Sequence, residues 1–209
     1  YQPKSPYAFA YIPADILGSV YERFLGKVIR LTAGGQAKVE DKPEVRKAGG
    51  VYYTPTYIVE YIVKNTVGKL LSPDEQFTAK HAKSAKKDLN LSDLSGLSGL
   101  NGLTPKEASE LKIVDPACGS GSFLLGAYQY LLNWHLDWYT QNDPEKHLKN
   151  KVLLTQDNKT YRLSMDEKKR IMLNNLHGVD LDPQAVEVTK LSLLLKVVED
   201  PGQLTMFDE

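Results

Sequence analysis

Apolar residues recur at three- and four-residue spacing in several stretches of the chain, and this spacing gives a helix one buried face. In the first stretch the repeating positions are Ile16, Val20, Phe24, Val28 and Leu31. The same kind of spacing predicts four helices, at residues 14–31, 56–71, 123–139 and 184–198. A shorter, more charged helix is expected at residues 165–173.

Shorter apolar runs predict strands between these helices. Residues 111–114 form one buried strand, which Asp115 closes, and residues 176–180 form another, which ends in Asp180. Residues 151–154 and 160–163 flank a polar stretch and predict a β-hairpin. Strands that alternate with helices indicate an α/β fold.

A glycine-rich turn joins the strand at 111–114 to the helix at 123–139. From Asp115 to Phe123 its sequence is Asp-Pro-Ala-Cys-Gly-Ser-Gly-Ser-Phe. Gly119 and Gly121 let the backbone approach a ligand closely and adopt dihedral angles that other residues avoid. The helix that follows presents free N–H groups and the positive end of its dipole. The sequence therefore predicts a nucleotide-binding loop.

The residues of this loop discriminate among nucleotide ligands. The loop lacks the G-x-G-x-x-G fingerprint of dinucleotide-binding proteins, and no G-K-[ST] follows it as in a P-loop. The carboxylate of Asp115 would repel a pyrophosphate but would pair with an ammonium group. We therefore expect a ligand that combines an amino acid with a nucleoside, as S-adenosylmethionine (AdoMet) does.

The segment from Asp115 to Phe123 also resembles the first AdoMet-binding motif of amino-methylating DNA methyltransferases. The resemblance is closest to adenine-N6 enzymes of restriction-modification systems, which include fused type IIG enzymes and type I modification subunits. It implies a Rossmann-like AdoMet-dependent methyltransferase core, here partial, behind a helical N-terminal segment. The loop residues it implies as cofactor contacts are Asp115, Pro116, Ala117, Gly119, Ser120, Gly121 and Phe123.

A second stretch of interest lies before the loop, where Tyr53, Thr54 and Pro55 precede the helix at 56–71. Thr54 suits the N-cap of that helix and Pro55 its first turn. The same residues resemble the motif that these methyltransferases place just before the AdoMet loop. That resemblance implies that Tyr53 and Thr54 meet the methionine end of the cofactor.

A third stretch, Gly-Val-Asp-Leu-Asp-Pro, ends the strand at 176–180. In nucleotide-binding α/β units an acid at the end of the second strand binds both ribose hydroxyls, and Asp180 holds that position. Asp182 is expected to cap the next helix, with Pro183 at its first position. The stretch resembles the second motif of the family, which implies that Leu181 packs on adenine.

We divide the chain into residues 1–49, an N-terminal arm and helical segment, and residues 50–209, the AdoMet-binding part of a methyltransferase domain. Residues 32–50 are rich in glycine and charge and are expected to form a loop. Residues 72–104, with their Leu-Ser-Gly repeats, are expected to form a linker or insertion. Residues 151–173 would be an inserted hairpin and helix.

Composition limits the classes of function. The 209 residues carry no formal net charge, so contacts to double-stranded DNA must come from a local patch or from sequence outside the chain. The single cysteine, Cys118, excludes an intrachain disulfide and a multi-cysteine zinc site, and we expect it to be a packing residue. We predict no metal site.

No signal peptide or long apolar run is present, so we expect a soluble, cytoplasmic protein. The start at Tyr1 suggests a piece of a longer chain.

The predicted function of the parent protein is sequence-specific adenine-N6 methylation of DNA in a restriction-modification or phage-defence system. The Asn/Asp-Pro-Pro-Tyr/Phe tetrapeptide that contacts the target base in such enzymes is absent. We therefore assign no catalytic residue here, and expect the chain alone to be inactive. Methylation of RNA or of protein glutamine, and a non-catalytic nucleotide-binding module, stay open as alternatives. An oxidoreductase is disfavoured by the loop sequence.

Overall fold

The structure is a computed structural model, and it describes residues 18, 20, 27–41, 54–72, 102–155 and 160–199. The helices of these ranges are α1 Thr56–Asn65, α2 Val67–Leu71, α3 Pro105–Ala108, α4 Ser122–Gln141, α5 Pro144–Lys149, α6 Met165–Asn175 and α7 Pro183–Val198. The strands are β1 Lys27–Leu31, β2 Ala37–Asp41, β3 Ile113–Asp115, β4 Leu153–Thr155, β5 Tyr161–Leu163 and β6 Leu176–Gly178. They pair as β1–β2, β3–β6 and β4–β5, each a two-stranded sheet. The mixture of helix and strand agrees with the predicted fold class.

The predicted helix at 14–31 is wrong from residue 27 onward, and the predicted loop at 32–50 is wrong over β2. Gly18 and Val20 are helical, but residues 27–31 form β1. β1 pairs antiparallel with β2, so that Ile29 lies opposite Val39. The turn is closed by the N–H of Gly35, which donates to the carbonyl of Thr32 at 2.9 Å. Pairing with β2 therefore makes residues 27–31 a strand, although the spacing of their apolar residues also fits a helix.

Several other elements confirm the sequence prediction, but β6 ends at Gly178, two residues before the predicted strand end at Asp180. The helix expected at 56–71 is interrupted at Thr66, whose hydroxyl donates to the carbonyl of Ile62 at 2.8 Å. α1 begins at Thr56, so Pro55 precedes the helix instead of lying in its first turn. β4 and β5 form the expected antiparallel hairpin. No helix within the described ranges has the length and apolar character needed to cross a membrane.

The chain divides into two units. The first consists of Tyr1–Pro55, Asp115–Leu125 and Gly178–Glu209. Its described core is formed by one face of α7 together with the loop after β3 and the first turn of α4. The buried residues of this core are Cys118, Ser120, Leu124, Leu125, Ala185, Thr189, Ser192, Leu193 and Val197.

The second unit consists of Thr56–Val114 and Gly126–His177. Here α4 is covered closely by α1 and α2 at two glycines. A Cβ at Gly126 would lie 2.4 Å from Cγ1 of Val59, and one at Gly68 would lie 2.6 Å from the hydroxyl oxygen of Tyr130. These approaches allow the apolar faces of the helices to meet without a gap.

A buried polar network holds α4 to α6 within the second unit. The hydroxyl of Tyr139 donates to Oε1 of Glu167 at 2.8 Å, and Arg170 donates to both carboxylate oxygens of Glu167. Burial opposes the charge of Glu167, but the bonds from Arg170 and Tyr139 outweigh burial and lower its pKa. A buried carboxylate satisfied in this way fixes the spacing of the two helices.

Candidate functional site

Backbone hydrogen bonds anchor the loop after β3 to the segment after β6. The N–H of Val179 donates to the carbonyl of Asp115, and the N–H of Cys118 donates to the carbonyl of Val179, both at 2.9 Å. Oδ1 of Asp115 accepts the N–H of Ala117 at 3.1 Å, so Asp115 also turns the chain at the start of the loop. The two predicted stretches therefore lie side by side.

The two glycines of the loop have the positive φ angles that favour glycine. Gly119 has φ +53° and Gly121 has φ +88°. The N–H of Gly121 donates to the carbonyl of Cys118 at 2.7 Å, and the carbonyl of Gly121 accepts the N–H of Leu125 at 2.8 Å. The chain thus makes a tight turn directly into α4, as the sequence predicted.

Asp180 joins the loop to the start of α7. Its Oδ2 accepts the N–H of Gly119 and its Oδ1 accepts the N–H of Asp182, both at 2.8 Å. A carboxylate that accepts backbone N–H groups is held in one orientation. The ligand role of Asp180 stays a prediction, and the structure gives this side chain two hydrogen bonds within the protein.

The residues after Asp180 have the expected arrangement. Asp182 is the N-cap of α7, where its Oδ1 accepts the N–H of Gln184 at 2.9 Å, and Pro183 occupies the first turn. The side chain of Leu181 is fully exposed. An exposed large apolar side chain next to a fixed carboxylate provides a surface on which a planar ring can pack.

Cys118 is a packing residue, as expected. Its side chain is buried, and a Cβ at Gly178 would lie 3.1 Å from its Sγ. Burial raises the pKa of the Cys118 thiol, and the negative charges of Asp180 and Asp115 raise it further. A neutral thiol in this position is a poor nucleophile.

The other residues predicted to contact the cofactor differ in how far they are exposed. Phe123 is half-buried in the first turn of α4, and the side chain of Ser120 is buried. Thr54 is half-buried before α1, and the described residues give it no hydrogen bond to the loop. Tyr53 lies outside the described residues. Pro116 and Ala117 are exposed at the start of the loop.

Two residues of the site were not found by sequence reasoning. A Cβ at Gly18 would lie 3.3 Å from Cβ and Oγ of Ser120, so Gly18 permits a close approach to the loop. Thr189 of α7 donates its hydroxyl to the carbonyl of Gly119 at 2.8 Å. Gly18 lies in a segment assigned only a packing role, and Thr189 lies on a helix face identified only as apolar.

The chain is similar in sequence to a DNA-methyltransferase family and to named methyltransferases. The family model described as MmeI, DNA-methyltransferase domain, matches residues 85–201, more than half of the chain. The type II restriction enzyme and methyltransferase RM.Eco57I of Escherichia coli is 32% identical over 199 residues, which are 95% of this chain and 16% of that protein. The putative type II restriction enzyme and methyltransferase RM.MjaORFECS2P of Methanocaldococcus jannaschii is 32% identical over 198 residues, 89% of this chain and 14% of that protein.

A third relative, the adenine-specific methyltransferase BrxX of Escherichia coli, is 25% identical over 193 residues. These cover 91% of this chain and 14% of BrxX. The chain therefore spans between 14% and 16% of the length of these three relatives.

Proposed function

The chain belongs to the family of the MmeI DNA-methyltransferase domain, and from this premise we propose that it is the AdoMet-binding part of a site-specific DNA adenine-N6 methyltransferase of a restriction-modification or phage-defence system. One observation carries the proposal. Oδ2 of Asp180 accepts the N–H of Gly119 at 2.8 Å, so the two stretches that resemble cofactor motifs lie side by side, which supports a single binding site. The names of the relatives support the substrate class.

The chemistry of this site fits AdoMet. Each carboxylate oxygen of Asp180 accepts one backbone N–H and keeps a further lone pair for a ribose hydroxyl. Within the described part of the chain, Asp115 uses only Oδ1 for the loop, which leaves Oδ2 for an ammonium group. The exposed side chain of Leu181 offers an apolar surface for adenine. A carboxylate pair suits a ligand with a positive charge better than one with a pyrophosphate.

In this proposal each residue holds one part of the cofactor. Asp115 binds the methionine ammonium group, Asp180 the ribose and Leu181 the adenine. The loop backbone and first turn of α4 line the methionine portion, and Tyr53 and Thr54 contact its end. The further loop residues of this set are Pro116, Ala117, Gly119, Ser120, Gly121 and Phe123. Bound AdoMet supplies a methyl group activated by the positive sulfonium.

The proposed architecture is a Rossmann-like methyltransferase core, of which β3, α4, β6 and α7 form a part. The chain holds no Asn/Asp-Pro-Pro-Tyr/Phe tetrapeptide. We therefore assign the contacts to the flipped target base, and most contacts to double-stranded DNA, to other parts of the full-length protein. The zero formal net charge of the chain is in keeping with this division.

A methylation assay with the full-length protein tests the proposal. Unmethylated genomic DNA, total RNA and a protein extract are each incubated with AdoMet that carries an isotopically labelled methyl group. The DNA is then digested to nucleosides and analysed by mass spectrometry. We expect label in N6-methyladenine of the DNA fraction. Label in RNA or protein glutamine without label in DNA would contradict the proposed substrate, and label in none of them would favour a non-catalytic module.

A further inference from the structure

The side chain of Thr189 lies behind the glycine-rich loop. Thr189 is in the second turn of α7 and is only 4% exposed. Its hydroxyl donates to the carbonyl oxygen of Gly119 at 2.8 Å. A buried hydroxyl that donates to a loop carbonyl 70 positions away in the sequence fixes that carbonyl relative to the helix.

The same side chain also contacts the second glycine of the loop. A Cβ at Gly121 would lie 2.8 Å from Cγ2 of Thr189 and 2.9 Å from its Oγ1. Gly121 has φ +88°, so it is free of a side chain both because of its backbone conformation and because Thr189 fills the adjacent space. Thr189 therefore forms a hydrogen bond with Gly119 and packs against Gly121.

Gly119 is held from two sides. Its N–H donates to Oδ2 of Asp180, and its carbonyl accepts the hydroxyl of Thr189. Glycine has the broadest choice of backbone angles of any residue, so a glycine turn without such anchors would sample several conformations. Two anchors on one residue select a single conformation before a ligand arrives, which lowers the entropic cost of binding.

We propose that Thr189 is a positioning residue for the cofactor loop, which it holds in the binding conformation through Gly119 and Gly121 without contacting the cofactor. The ligand named here rests on the proposed function. The ordering of the loop by Thr189 does not, because the hydrogen bond and the packing belong to the protein alone.

The test uses the full-length protein and three variants. Thr189→Val keeps the shape of the side chain and removes the hydroxyl, and Thr189→Ser keeps the hydroxyl and removes the methyl group. Ser192→Ala is the matched control, since Ser192 is on the same helix, is fully buried and has a hydroxyl without a hydrogen-bond partner among the described residues. Hydrogen exchange of the peptide 115–125 is measured without ligand, and AdoMet affinity is measured by calorimetry.

In Thr189→Val we expect faster exchange of the peptide 115–125 and an AdoMet Kd raised by about fivefold, the factor for one hydrogen bond of ordinary net strength. Thr189→Ser keeps the hydrogen bond to Gly119 and loses only the methyl contact with Gly121, so both values should be closer to the wild type than in Thr189→Val. Ser192→Ala should leave both as in the wild type. If the valine variant does not fold, Thr189→Ala removes the hydroxyl without bulk near Gly121 and takes its place.

Wild-type exchange and affinity in the variant without the hydroxyl would overturn the proposal, and so would equal effects in the Ser192→Ala control. Absence of AdoMet binding by the wild type would instead contradict the proposed function. The exchange of the peptide 115–125 would still decide the role of Thr189 in that case.

Discussion

Oδ2 of Asp180 accepts the backbone N–H of Gly119 at 2.8 Å, although the two residues are 61 positions apart in the sequence. The other oxygen of the same carboxylate accepts the N–H of Asp182 at the start of α7. Asp180 therefore shapes the glycine-rich loop with one oxygen and the start of α7 with the other. This side chain joins the loop to α7.

Replacement of Asp180 by alanine should weaken AdoMet binding. The change removes the proposed ribose hydrogen bonds to a charged acceptor, together worth about 1.5–3 kcal/mol, so Kd should rise by roughly 10- to 150-fold. Calorimetry on the full-length protein measures the change. Asp182→Ala is the control, because it removes the cap of α7, worth about 1 kcal/mol of stability, without removing an acceptor for ribose. Equal losses of affinity in the two variants would assign the ribose role elsewhere.

Replacement of Asp115 by asparagine should weaken AdoMet binding more than adenosine binding. Asparagine keeps an oxygen that can accept the N–H of Ala117, so the loop turn survives while the negative charge is lost. Only AdoMet carries the methionine ammonium group that this charge attracts. Competition titrations with both ligands provide the comparison, and a similar loss for both would show that Asp115 does not face the ammonium group.

The sequence predicted the glycine-rich turn and the cap at Asp182 because each depends on local patterns. Turn and cap signals are encoded within a few residues, and the structure has them where expected. The segment at 27–41 was mispredicted because a strand is stabilised by its partner. The pairing of Ile29 with Val39 across a glycine turn outweighed an apolar spacing that also fits a helix.

Thr189 was missed for a related reason. Its position on an apolar helix face predicts burial, and the residue is buried. The sequence does not specify that the buried hydroxyl meets the carbonyl of Gly119, because that contact depends on how α7 packs against the loop. A long-range contact of this kind can be identified only from the three-dimensional structure.

The thiol of Cys118 should react slowly with iodoacetamide at pH 8 in the folded protein. Burial raises its pKa, so the reactive thiolate is a smaller fraction than in an exposed cysteine. Mass spectrometry of the peptide that contains Cys118 follows the alkylation, and the same protein in urea gives the reference rate. Equal rates in the folded and unfolded protein would contradict the buried position.

Acid should destabilise the protein through His135. This side chain is fully buried, and burial lowers its pKa to about 4 from an ordinary value of 6.5. Its Nδ1–H donates to the carbonyl of Leu131 at 2.8 Å, which fits the neutral ring. Because the unfolded chain binds the proton first, the free energy of unfolding should fall between pH 6.5 and 4, by at most about 3 kcal/mol.

His135→Phe should flatten this pH dependence, since phenylalanine does not titrate. Urea unfolding at pH 7, 6 and 5, followed by tryptophan fluorescence, measures the effect. His177→Asn is the control, because His177 is exposed, and it should keep the wild-type profile. The pKa of Glu167 is also lowered, but its stabilisation is lost only below its ordinary value of 4.5. An unchanged slope in His135→Phe would show that His135 is not the responsible group.

We propose that the loop at 115–123 and Asp180 form an AdoMet site. Calorimetric titration of the full-length protein with AdoMet, and separately with NAD, distinguishes this site from a dinucleotide site. We expect saturable AdoMet binding at one site per chain and no heat from NAD. Binding of NAD in place of AdoMet would contradict the proposed site and support a dinucleotide site. Binding of neither ligand would contradict the proposed site as well.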